Sequence, residues 1–464
     1  MPVEGRDLSS RPAHHVARDR EIGMSLTTPD TVQKLQTALH AKAKGSPTFR
    51  FYSLYDKLYR SDILSHAYAC CRANKGAAGV DGQTFEDIEA YGLGRWLGEL
   101  AEELQKRTYR PQAVRRVFIP KPNGKLRPLG IPTIRDRVAQ TACVLVLEPI
   151  FEADLQPEQH AYRPGCNALD AVQKVHHLVN HGHTEVVDGD LSGYFDSIPH
   201  GELMQSVARR ISDGAVLGLI KQWLTAAVEE TDDRGRVRRT TRNKDDGRGV
   251  PQGAPISPLL SNLYMRRFVL GWKVLGHEKR LDAHIVNYAD DFVICCRGTA
   301  RQADRIMRRM MGQLKLTVND VKTRLCRLPD ESFDFLGYTI GRCYAFGTGR
   351  PYLGTRPSKK KVQAMVARIS ELTSRRTLLT DVPVMVGRLN RLLVGWANYF
   401  SLGPVSAAYR AVDAHVTTRL RRWMCEKHKV DSGGYSRYSD RHLAERYGLV
   451  RLPQLPRRYP CANA

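Results

Sequence analysis

No run of eighteen apolar residues occurs in the 464, which excludes a membrane-spanning helix. None of the ten cysteines forms a Cys-x-x-Cys pair. That argues against both a zinc knuckle and a disulfide framework, so a reducing cytoplasm is expected. Residues 1–24 carry Arg6, Arg11, Arg18 and Arg20 but no apolar core. They are expected to form a flexible tail rather than a secretory leader. Acidic residues are in deficit: 48 Asp plus Glu stand against 72 Lys plus Arg, leaving a net charge of +24. An excess of that size fits a polyanionic partner, most often nucleic acid. No internal repeat is visible. With 42% hydrophobic and 26% charged residues, disorder throughout is excluded, and the length allows two to four domains.

The charge is unevenly spread. From Arg356 to Ala464 there are 21 basic and 7 acidic residues, so +14 of the total sits in under a quarter of the chain. This part forms an electrostatic module of its own. Glu229 to Gly249 is also highly charged, but its 6 acidic and 7 basic residues nearly cancel. With Gly235 and Gly247 it reads as an exposed hairpin or loop.

Residues 25–110 read as mostly helical, with Val32, Leu35 and Leu39 on one face and Trp96, Leu100 and Leu104 on another. Strands are predicted at Val114–Pro120 and Leu126–Ile131 around a Pro-Asn-Gly turn, at Thr184–Leu191, and at Phe335–Ile340. Ile285–Cys296 reads as two apolar runs around one polar tip. Helices are predicted at 134–150, stopped by Pro149, and at Ile256–Leu270. Strands set irregularly among helices indicate an α+β fold. After Pro357 two helical stripes follow: Val386, Leu389, Leu393, Trp396 and Phe400, then Val412, Val416, Leu420, Trp423 and Met424. Arg388, Arg391, Arg419, Arg421 and Arg422 fall on other faces. The two helices suggest a small bundle that lies on a nucleic-acid backbone.

The polar tip is Tyr288-Ala289-Asp290-Asp291. Adjacent aspartates repel, and one pKa rises unless a cation is near. An Asp-rich turn is the plain alternative. A second strand end, Val186-Val187-Asp188-Gly189-Asp190, supplies another carboxylate. Three carboxylates on adjacent strands can hold two magnesium ions for phosphoryl transfer. Asp196 is a rival ligand, read here as structural.

The order of motifs resembles that of bacterial group II intron-encoded reverse transcriptases, or maturases. The likeness runs from about Leu54 to about Lys429. It rests on Asn74–Gly82, Val117–Lys121 with Arg127–Pro132, Tyr162–Gly165, Asp190–Asp196, Pro251-Gln252-Gly253, Tyr288–Asp291, Leu316–Thr323 and Phe335–Tyr338. Leu389-Asn390 and Gly395–Phe400 match the thumb called domain X.

The resemblance implies a right-hand polymerase fold: a helical extension at 25–110, fingers and palm at 111–345, and a helical thumb at 355–430. A basic tail is expected at 431–464. It implies Asp190, Asp290 and Asp291 as catalytic metal ligands for two Mg2+ ions. Lys121 and Arg127 are expected to meet the triphosphate. Phe195 is expected to gate the 2′-hydroxyl, Gln252 to line the nucleotide pocket, and Lys322 to act as general acid. Arg388, Arg391, Arg421 and Arg422 are expected to face RNA. The implied partners are group II intron RNA, an RNA template with a DNA primer, deoxynucleoside triphosphates and a DNA target, with no membrane. Action at the nucleoid of a bacterial cytoplasm is the implied location. Many relatives continue into a DNA-binding segment and a zinc-bearing endonuclease. Only about 35 residues follow Lys429, without paired cysteines, so no endonuclease is expected.

Rival readings are a splicing cofactor with a spent polymerase, a stand-alone reverse transcriptase in phage defence, and an RNA-dependent RNA polymerase. The intact aspartates argue against the first, the thumb against the second, and Phe195 against the third. His177 and His181, four apart, could share zinc, but no carboxylate or cysteine lies near them in sequence. The vicinal cysteines are read as buried free thiols.

Overall fold

The computed structural model describes residues 26–120, 126–232, 234–345, 347–430 and 434–455. The expected tail at 1–24 and Lys121 lie outside the described residues. In chain order the strands are β1 (Val114–Pro120), β2 (Leu126–Ile131), β3 (Glu185–Gly189), β4 (Val228–Thr231), β5 (Val237–Thr240), β6 (Ala283–Tyr288), β7 (Asp291–Cys296), β8 (Arg324–Arg327), β9 (Phe333–Phe335), β10 (Tyr338–Tyr344) and β11 (Pro351–Pro357). They build three sheets among helices, an α+β fold with a helical C-terminal region.

The first sheet runs β2-β1-β4-β5, with β1 and β2 antiparallel and β1 parallel to β4. The charged stretch after Glu229 is the exposed hairpin its composition implies, closed by β4 and β5. The second sheet, β6-β7-β3-β8, is antiparallel throughout. Both of its faces are covered: Ile285 and Ile294 pack on one core and Val186, Val286 and Val293 on another, all buried to 1% exposure or less. The third sheet is β11-β10-β9.

Two predicted elements differ. The helix expected to stop at Pro149 runs from Ile134 to Glu152. Proline removes the N–H that would reach the Leu145 carbonyl. That oxygen is satisfied from outside, by Gln36 Nε2 at 3.0 Å, so the helix continues. The single strand expected at Phe335–Ile340 is two strands with a tight turn. Leu336 and Gly337 take φ of +49° and +86°, and Phe335 pairs with Tyr338.

The C-terminal helices Lys359–Leu372, Val382–Tyr399 and Ser406–Lys427 share one core containing Met385, Leu389, Leu393, Val416, Leu420 and Trp423. Residues 431–464 are not simply a basic tail. Within the described 434–455, Tyr438, Leu443, Leu449 and Leu452 are buried in that same core, because they supply the apolar area that closes it. The end of helix Val382–Tyr399 leaves the bundle and joins the palm. Phe400 and Leu402 belong to the cluster that holds Val186, Val286 and Val293. Two tyrosines lock this joint reciprocally: Tyr338 Oη donates to the Tyr399 carbonyl, and Tyr399 Oη donates to the Leu336 carbonyl at 2.6 Å. Among the described residues no helix is long and apolar enough to cross a membrane.

Candidate active site

The second sheet places the carboxylates. β6 and β7 pair Tyr288 with Asp291, leaving Ala289 and Asp290 as the turn. Ala289 sits at φ +58°, a conformation that alanine adopts only when held. Asn287 holds it, donating Nδ2 to the Ala289 carbonyl at 2.8 Å and to the Asp291 carbonyl at 3.3 Å. Asn287 is fully buried, and its own backbone is fixed by Glu158 and His160. Sequence reasoning missed it, since a lone Asn in an apolar strand carries no distinctive spacing.

β3 lies beside β7, pairing Asp188 with Val293 and Gly189 with Phe292. Continuing that register by one residue sets Asp190 opposite Asp291. Asp190 is gripped from the Leu316–Thr323 segment. Lys322 Nζ lies 2.9 and 3.0 Å from its two oxygens, and Asn319 Nδ2 donates to it at 3.0 Å. The Asp190 N–H donates to Thr323 Oγ1 at 3.2 Å. Asp291 is pushed up to about 6, first by the protein crowded around its carboxyl, then by Asp290, Asp190 and Asp188; Lys322 opposes them. Asp188 is raised by burial and relieved by Arg324, whose Nε is 3.2 Å away. The structure thus gathers Asp190, Asp290 and Asp291 and adds Asp188 behind them. The alternation of side chains along β3 could have indicated Asp188.

Gly189 explains why the strand can end there. A Cβ at this position would lie 2.3 Å from the Phe292 ring. That ring is 1% exposed and packed on Phe268 at 5.4 Å, so it has nowhere to go. Gly189→Ala should lower unfolding free energy by about 1–3 kcal/mol, as overpacking does. It should also displace Asp190 from Lys322 and Asn319. Urea titration checks the stability loss; an unchanged midpoint would contradict the packing account.

Arg127 and Gln252 meet, with Arg127 Nε 3.1 Å from Gln252 Oε1. Gly253, at φ +110°, makes room for the Gly130 carbonyl, 2.5 Å from where a Cβ would stand. Phe195 is 7% exposed in the one-turn helix Tyr194–Ser197, and its carbonyl accepts from Val250 N–H at 2.7 Å. That bond ties it to the segment carrying Gln252. Asp196 lines a cleft with Arg116 and Gln252. In the C-terminal region Arg388, Arg391 and Arg422 are exposed. Arg421 is not a surface residue: it is 2% exposed, donating Nε to the Tyr438 carbonyl at 2.8 Å and pairing with Asp440. Its role as an RNA contact is therefore corrected. The helix face it shares is covered by residues 434–455. Arg419 is likewise turned inward, onto Thr373 and the Ser370 carbonyl.

A palm-like sheet bearing an aspartate hairpin, next to a finger-like sheet, is the arrangement of a template-directed nucleic-acid polymerase. The family model for reverse transcriptase (RNA-dependent DNA polymerase) matches residues 119–340. The model for the group II intron maturase-specific domain matches residues 362–441. Protein YkfC of Escherichia coli strain K12 is 34% identical over 348 residues, covering 67% of this chain and 88% of that protein. The group II intron-encoded protein LtrA of Lactococcus lactis subsp. cremoris is 34% identical over 359 residues, covering 62% of this chain and 57% of LtrA. The putative COX1/OXI3 intron 1 protein of Saccharomyces cerevisiae is 26% identical over 330 residues, 60% of this chain and 38% of that protein. The chain belongs to the family of group II intron-encoded reverse transcriptases with a maturase domain.

Proposed function

We propose that this chain copies an RNA template into DNA from a primer, using two magnesium ions at Asp190, Asp290 and Asp291. In the same reading it binds group II intron RNA, assists its splicing and supports insertion into a DNA target. The observation that carries the catalytic part is the crowding of Asp290, Asp190 and Asp188 about Asp291, with Lys322 pairing Asp190 and Arg324 pairing Asp188. Such crowding calls for cations, and an all-oxygen donor set suits a hard divalent ion. Magnesium, when bound there, would activate the primer hydroxyl and stabilise the leaving oxygen.

The chain's own residues position and select. Asn319 and Lys322 orient Asp190, and Asn287 fixes the hairpin tip. Arg127 offers a planar cation to the triphosphate once it exchanges Gln252 for phosphate oxygens. Lys322 is within reach of the same centre and can give a proton to the departing pyrophosphate. Phe195 presents bulk where a ribose 2′-hydroxyl would fall. The exposed Arg388, Arg391 and Arg422 are the thumb's contacts to the intron RNA backbone. Action in a bacterial cytoplasm, at the nucleoid, belongs to the same reading.

The direct test is primer extension on RNA with deoxynucleoside triphosphates and magnesium, run beside a splicing assay with the host intron. Failure of both under conditions where RNA binding is intact would overturn the proposal. A sharper expectation concerns sugar choice. Phe195→Val should raise ribonucleotide incorporation relative to deoxynucleotide by roughly 5- to 30-fold, because a removed steric clash of about 1–2 kcal/mol translates into that factor. Single-nucleotide extension with each triphosphate measures it. Unchanged discrimination would move the gate elsewhere.

A further inference from the structure

A second ligand cluster stands at the end of β6 opposite the aspartate tip. His284 is the second residue of β6, Asp282 caps the short helix His277–Leu281 at φ +45°, and His183 lies two residues before β3. One ligand atom from each lies within 4.8 Å of the others. His183 Nε2 is 3.0 Å from Asp282 Oδ1, and His284 Nε2 is 3.4 Å from the same oxygen. Ligands about 2.0–2.2 Å from a tetrahedral zinc are themselves roughly 3.3–3.5 Å apart, so the two contacts to Asp282 Oδ1 are close to that spacing. Glu278 Oε1 is 3.6 Å from His284 Nδ1 and stands at the margin.

The tautomer of His183 makes the case. Its Nδ1 lies 3.2 Å from the Leu178 carbonyl, which can only accept, so Nδ1 carries the hydrogen. In the neutral ring Nε2 is then a bare lone pair aimed at a carboxylate oxygen. Two acceptors at 3.0 Å require a positive centre, either a second proton on the ring or a metal. His183 is 8% exposed, and Arg297 Nε already lies 3.5 Å from the other Asp282 oxygen. A carbonyl holding the far nitrogen is the usual outer support of a metal-bound imidazole. The zinc pair suggested by spacing, His177 and His181, is instead stacked at 3.9 Å, with His181 Nδ1 bound to the His177 carbonyl. Asp282, 99 residues from His183 in sequence, supplies a carboxylate partner that local spacing does not reveal.

We infer that His183, Asp282 and His284 bind a borderline divalent cation, zinc foremost, with water completing four ligands. The ion would clasp the start of β6 to the segment entering β3, at the sheet end remote from the aspartates. This assignment is independent of the polymerase reading.

The test uses the full chain, stripped with a chelator and returned to buffer with excess magnesium to occupy the carboxylates. Zinc titration by calorimetry should show one equivalent, and cobalt should give the visible bands of a tetrahedral site. The same titration should persist in Asp290→Ala. His284→Gln and Asp282→Asn, both at partly exposed positions, should each weaken zinc binding by about 100-fold or more. His177→Gln should leave it unchanged. Absence of a stoichiometric site in the parent, or equal affinity in His284→Gln, would overturn the assignment and leave an imidazolium–carboxylate pair.

Discussion

Primer extension on an RNA template should fall by about a thousandfold or more in Asp290→Ala, since losing a metal ligand removes several kcal/mol of transition-state stabilisation. RNA binding should survive, because backbone affinity comes from basic residues elsewhere. The two effects separate because Asp290 is exposed at the hairpin tip and supports no core. Asp290→Asn keeps the turn's shape and should lose activity to a similar degree. It should also lower the Asp291 carboxyl from its position near 6, since one of the like charges raising it is gone. In the parent, Asp291 binds its proton more tightly folded than unfolded. Metal-free protein should therefore gain stability as pH falls through about 6, and magnesium should remove that gain. Undiminished extension by either variant would refute the ligand assignment.

The thumb arginines should split into two groups. Neutralising Arg388, Arg391 and Arg422 together should cut the slope of log affinity against log salt by roughly two to three units if all three touch phosphate. Thermal stability should hardly move, because all three are exposed. Arg421→Ala should do the reverse. It loses a charged hydrogen bond to the Tyr438 carbonyl and the pair with Asp440, which together cost about 2–3 kcal/mol, discounted because Asp440 is half exposed. Residues 434–455 should then detach from the bundle, visible as faster amide exchange around Leu443 and Leu449. The salt slope per folded molecule should stay as in the parent. A trio variant with an unchanged slope would reduce this surface to solvated charge.

Local pattern sufficed for the aspartate hairpin, since Ile285–Cys296 encodes two buried strands and one polar interruption. It also sufficed for the two thumb stripes, whose apolar spacing matches one helix face. Features set by distant partners were not legible. Nothing near Pro149 announces that Gln36 will satisfy the Leu145 carbonyl. Nothing near Arg421 announces that residues 434–455 will cover it, so its polar character alone predicts exposure. Asn287, Asn319 and Gly189 act through a neighbouring strand or loop. Their value depends on register, which the sequence does not display.

The paired tyrosines at Tyr338 and Tyr399 bear on how synthesis would proceed along a template. They weld the thumb's root to the hairpin turn at Leu336-Gly337, and Phe400 extends that weld into the palm's interior. A root so fastened leaves little freedom for the thumb to swing away between nucleotide additions. Translocation then falls to the duplex, which must slide past a fixed clamp one step at a time. Under the proposed function, such a clamp would favour long uninterrupted copying over frequent release.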